Sequence, residues 1–184
     1  NGLLEAAWRL GSPRGCGGLT SPLRRFAARL VGRRLLTVAA EPGASQALLP
    51  EELRREAQLP RECGWAEDEE TVAAALACFF AAAERAGAQY VPAAARDVIM
   101  AAVERWQGED PPVGRAWVEE AVAALGEAER AAARVGLLTA MASYRVEETA
   151  IAEYRRHEAS DAALVAVVGY AAARAARRIA GWMG

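Results

Sequence analysis

Apolar residues recurring three and four positions apart, in blocks separated by glycine and proline, constrain this chain more than any other feature. Such spacing places side chains on one face of a helix, whereas a half-buried strand needs strict alternation. Val72, Leu76, Phe79, Phe80 and Ala83 form one stripe, and Gly87 is expected to stop that helix. Val91 and Pro92 open the next, in which Val98, Ile99, Ala102, Val103 and Trp106 repeat before Gly108. Beyond the break at Asp110–Gly114, a third stripe carries Trp117, Val118, Val122 and Leu125. Gly126 then leads into a long helix, and Ser160 or Ala159 opens the last. No run combines sustained alternation with β-branched enrichment, so the prediction is an all-α fold, an antiparallel helical bundle. The stripe residues are its expected core. Trp65, Trp106, Trp117 and Trp182 are expected to fill interiors rather than to frame a cofactor.

With 184 residues, 53% of them hydrophobic, the chain can bury one core but is short for two. The expected organisation is a basic N-terminal arm over 1–46 and a helical domain over 47–184. Gly11–Pro13 and Arg14–Gly18 interrupt any helix begun by Leu3–Leu10. Between Ser21 and Ala40, Leu23, Phe26, Ala27, Leu30, Val31, Leu35 and Leu36 recur at helical spacing, with arginines on the other face. Ser21 can cap this helix and Pro22 suits its first position, so the segment reads as an amphipathic basic helix in need of a surface. In the acidic stretch Leu49–Asp68 only a short helix around Glu51–Gln58 is expected.

The net charge of −2 conceals an asymmetry. Residues 1 to 40 hold seven arginines against one acid, Glu5, for +6, while the other 144 hold 15 arginines against 23 acids, for −8. The simplest reading lays the basic head across an acidic surface of this chain or of a partner. An anionic membrane or nucleic acid is the sharper alternative, but no nucleic-acid partner is expected. All 22 basic residues are arginine, and alanine is abundant, as expected from a GC-rich coding sequence.

Cys16, Cys63 and Cys78 are odd in number and widely spaced, which defines neither a disulfide framework nor a zinc signature and points to a reducing cytoplasm. No signal peptide is evident. Arg174, Arg177 and Arg178 interrupt the apolar last helix, which is therefore read as a core helix and not a membrane span. A single histidine, His157, argues against a metal site, and no phosphate loop, nucleotide fingerprint or Gly-x-Ser-x-Gly elbow occurs. No cofactor is implied.

The segments 131–143, 144–157 and 160–183 together resemble the carboxymuconolactone decarboxylase and alkylhydroperoxidase D family, in which a helix opens with Cys-x-x-Cys-x-x-x-His. Laid over this chain, the family cysteines fall on Tyr144 and Glu147 and the histidine on Ile151. The family's proton-relaying glutamate falls near Ala132. Asn1–Pro13, Arg33–Leu36, Glu41–Ser45 and Val113–Val122 further resemble the second half of longer high-GC bacterial members, whose first half carries the Cys-x-x-Cys. The chain begins at Asn1, not methionine, as a processed or truncated product would. The resemblance implies an all-helical fold that works as an oligomer, and a redox role for an active partner half.

Without thiolates there is no nucleophile to attack a peroxide. Among substitutes, Glu147 and His157 lie ten residues apart, about 15 Å along a straight helix, too far for one acid–base pair. Glu153 and His157 can touch at i and i+4, a surface contact of about 0.2–0.5 kcal/mol, and His157 is assigned a structural role near the helix end. Tyr144 is expected in the core, with a pocket position as its alternative. Cys63, expected in a loop beside Arg61 that would lower its pKa, is the remaining catalytic thiol candidate. Cys78, on an apolar face, reads as inert, and Cys16 lies in a glycine-rich segment. Two classes follow. One is a non-catalytic domain that pairs with a Cys-x-x-Cys half or with copies of itself. The other is a family enzyme, a peroxidase with Cys63 as relocated thiol or an enzyme acting on a lactone-like acid through Glu147.

Overall fold

The computed structural model describes residues 43–183, and among them it is all helix and turn, with no strand. The basic head and its expected amphipathic helix, with Cys16, lie outside the described residues. Seven α-helices follow in order: α1 Glu51–Glu56, α2 Glu70–Tyr90, α3 Ala93–Arg105, α4 Ala116–Val122, α5 Glu127–Met141, α6 Glu148–His157 and α7 Asp161–Ala180. Short 3-10 turns at Ala44–Leu48, Arg61–Ala66 and Ser143–Arg145 complete the regular structure.

The start and stop signals account for most boundaries. Ser160 Oγ accepts from the Ala163 amide at 3.3 Å, capping α7 as expected. At the start of α5, Glu129 reaches back to accept from the Gly126 amide at 3.2 Å, and glycine has no side chain to return the bond. Pro92 ends α2 by pushing Val91 into extended backbone, φ −101° and ψ 124°.

Gly87 does not stop α2. The helix runs through it to Tyr90, and a β-carbon at Gly87 would overlap the Tyr170 ring of α7. This glycine permits close approach of two helices and has no turn to make. A β-carbon at Gly136 of α5 would likewise overlap Ile99 of α3.

Helix α5 is the centre of the bundle, packed by α3, α4, α6 and α7. Each residue from Ala131 to Leu138 is buried, as expected of a helix enclosed on all sides. Ile99, Val103, Val118, Val122, Leu137, Leu138 and Val167 form the main core around it. A second cluster joins Cys63, Phe80 and Ala83 to Ala173 and Ala180 where α2 meets α7.

The α2 stripe divides between these surroundings. Phe80 and Ala83 are buried, whereas Val72 and Phe79 face outward, Phe79 at 48% exposure. One residue of helix turns a side chain by 100°, so only one of two adjacent phenylalanines can point at α7. The other stays at its edge, with ring centroids 5.1 Å apart. Trp106 and Trp117 pack against the main core, but Trp65 and Trp182 are about half exposed, at 50% and 42%, contrary to their expected interior role, with Trp182 edge-on to Trp106. Among the described residues, α2 is long and apolar enough by length and composition to cross a membrane.

Candidate functional site

The expected long helix after Gly126 is two helices. Ala142 donates its amide to Leu138 O at 2.8 Å and then leaves helical backbone, at φ −152° and ψ 55°. Ser143–Arg145 make one 3-10 turn, and Glu147, at φ −95° and ψ 157°, stands at the N-terminus of α6. Arg145 fastens this turn to the 110–114 loop by donating from Nη1 to Pro112 O at 2.6 Å. Its guanidinium also covers one face of Tyr144, 5.2 Å from the ring centroid. Tyr144 is consequently a surface side chain, 71% exposed, rather than the expected core or pocket residue.

Glu147, three residues on, is paired with Arg115 at 2.8 Å and accepts from the Thr149 hydroxyl at 3.4 Å. Ile151, one turn further, packs against the main core, and Ala132 is buried in α5. The thiol, thiol, imidazole and carboxyl positions implied by the resemblance thus hold a phenol in solvent, an ion-paired carboxylate, an aliphatic chain and a methyl group.

Sequence reasoning missed Arg134, the one charged residue buried among the described residues, at 8% exposure. Its Nε and Nη2 donate to the two carboxylate oxygens of Glu119 at 2.8 and 2.6 Å, a bidentate grip from α5 to α4. Nη1 lies 2.7 Å from Glu153 of α6, off hydrogen-bond alignment, and acts as a charge contact. Hydrogen bonding from Arg134 holds the Glu119 carboxyl below the usual carboxylate range, and the same bond raises Arg134 itself. Glu153 therefore serves Arg134, not the expected partner His157, which sits in the last turn of α6 beside Arg155 and Arg156. A signal was present: an arginine in the apolar run 131–138 must be paired if buried, and flanking helices carried acids.

Cys63 is not the loop thiol that was expected. It lies in the Arg61–Ala66 turn at 1% exposure, packed in the α2–α7 cluster and apart from the Tyr144–Glu147 turn. Burial pushes its pKa up, Glu62 adds to this, and only Arg177 opposes. The expected lowering by Arg61 is overturned because desolvating a thiolate outweighs a nearby cation. Cys78 is buried on α2, and neither it nor Cys63 forms a disulfide.

Near the end of α5, Trp106, Trp117, Leu137 and Met141 line a cleft of about 230 Å³ that Tyr144 and Glu147 do not line. Among the described residues, no three His, Cys, Asp or Glu side chains converge as metal ligands would.

The fold is an all-α bundle, and its turn bears neither thiol nor imidazole at positions 144, 147 and 151. Over 182 residues, 99% of this chain, the sequence is 32% identical to alkyl hydroperoxide reductase Rv2159c of Mycobacterium tuberculosis. The chain spans 49% of that protein's length. No protein-family model and no solved structure matches the chain.

Proposed function

We propose that this chain is a non-catalytic alkylhydroperoxidase-like half that supports a redox-active Cys-x-x-Cys half, as a cytoplasmic partner or as the second part of one longer protein. The observation that carries this reading is the motif turn, where Tyr144, Glu147 and Ile151 occupy the positions of the reactive groups. Peroxide reduction begins with a thiolate attacking one peroxide oxygen while the other leaves as an alcohol, and a base must first take the thiol proton. No thiol stands at that turn, and its carboxylate, Glu147, is ion-paired with Arg115. Cys63, the relocated candidate, is enclosed and its thiolate disfavoured. The 49% coverage of a named alkyl hydroperoxide reductase supports a half-protein role, because the remaining length could carry the chemistry.

Hydroperoxide reduction by this chain with a dithiol reductant, beside a variant in which Cys16, Cys63 and Cys78 are all alanine, tests the reading. Equal, background-level rates are expected. Turnover that disappears in the variant would make the chain a peroxidase and overturn the proposal.

A further inference from the structure

The last turns of α7 carry Arg174, Arg177 and Arg178, spaced so that all three lie on one helix face. Basic residues there complement the negative end of a helix, but that role needs no enclosure. Here all three line one cleft of about 290 Å³, formed with α3 and the Arg61–Ala66 turn. Met100 and Val103 supply apolar wall, and Glu62 and Glu104 are the acids. An adjoining depression of about 590 Å³ shares Glu62 and Gly181 and adds Arg61 and the exposed indole of Trp65.

Each guanidinium is held by one of its nitrogens. Arg174 donates from Nη2 to Glu84 at 2.9 Å, Arg177 Nε lies 3.1 Å from Glu62, and Arg178 donates from Nε to the Trp106 carbonyl at 2.9 Å. A guanidinium has five N–H donors, so these contacts orient Arg177 and Arg178 through Nε and, among the described residues, leave their Nη groups available. Arg178 Nε bonds a neutral carbonyl and its guanidinium lies 5.7 Å from the Trp182 ring centroid, so among the described residues no bonded carboxylate balances its charge.

We infer that this cleft binds an organic anion, a carboxylate or phosphate ester, with its charged group on the Nη atoms of Arg177 and Arg178. Its apolar body lies against Met100, Val103 and Trp65. Arginine forks suit such oxyanions because two parallel N–H groups match two oxygens. The inference does not depend on the half-protein reading, since the cleft shares no residue with the Tyr144–Glu147 turn.

Titration of the 184-residue chain with phenyl phosphate, benzoate, inorganic phosphate and neutral benzyl alcohol, followed by calorimetry at low salt, tests it. Saturable binding of phenyl phosphate or benzoate near or below about 1 mM is expected, with benzyl alcohol much weaker. The tighter of the two anions identifies the preferred group. Arg178→Gln should weaken binding by roughly five-fold or more, and Glu104→Gln, which removes a negative charge from the wall, should tighten it by roughly two-fold or more. A merely structural role for these residues would not produce tightening, and thermal melts show that both variants are folded. No saturation by either organic anion at about 10 mM, or affinity unchanged in both variants, would overturn the site. Inorganic phosphate binding as tightly as phenyl phosphate would overturn the apolar part of the assignment.

Discussion

Arg134 of α5 holds Glu119 of α4 through two hydrogen bonds, 2.8 and 2.6 Å long, from the most enclosed stretch of the bundle. A third contact to Glu153 brings in α6, so one side chain ties three helices. Removing the arginine leaves two acids facing each other across α5, and removing Glu119 leaves a buried cation with a partner missing. Arg134→Ala should destabilise the protein by about 2–3 kcal/mol, below the range for fully buried pairs because Glu119 is half exposed. Urea denaturation of wild type and variant measures this.

The same pair sets an acid limit. The folded-state pKa of Glu119 lies below its unfolded value because Arg134 bonds the ionised form. Its contribution to stability is therefore complete above the unfolded value near 4.5 and lost as pH falls through the folded one. Arg134 shifts further upward, so it stays charged throughout and adds no slope across the acid range. Glu119→Gln should flatten the loss of stability below about pH 4.5, read from melting temperature against pH. An unchanged acid slope would refute this account of Glu119.

Gly136 and Ile99 are in contact closer than any β-carbon allows. Gly136→Ala should cost about 1–3 kcal/mol through overpacking, despite the better helix propensity of alanine. The Ile99 δ-methyl is the nearest obstacle, so Ile99→Val in the same chain should recover part of the loss. Additive losses in the double variant would show that the two residues do not compete for that space.

Burial of Cys63 and Cys78 predicts that neither reacts with a thiol-specific alkylating agent at pH 7 in the folded protein, and that both react in denaturant. Site-resolved mass spectrometry separates them from Cys16. Rapid native labelling of Cys63 would restore it as a candidate nucleophile.

Glu147 is the contrasting case. Its side chain is largely exposed and its partner Arg115 lies outside the core cluster. Glu147→Ala should change stability by no more than about 0.5–1 kcal/mol and leave the background hydroperoxide rate unaltered. A fall in any turnover would make Glu147 catalytic.

Apolar spacing marked the helical stretches from 70 onward, though not the break after Met141, because each helix must bury one face and that requirement is written at intervals of three and four. Ser160 and Pro92 were legible as boundaries because capping and the steric demand of proline act within a few residues. Residue identity alone also showed that positions 144, 147 and 151 lack thiol and imidazole. Tertiary structure decided what depended on neighbours distant in sequence. Gly87 has the same local chemistry as a helix stop, and only the Tyr170 ring makes it a contact. The backbone leaves the helix at Ala142, Arg145 ties the following turn to the 112 carbonyl, and Tyr144 faces solvent. Arg61 adjoined Cys63 in sequence, yet packing between α2 and α7 set the thiol's environment. Local preferences are short-range energies of a segment, whereas burial, ion pairing and pKa depend on which segments the bundle brings together.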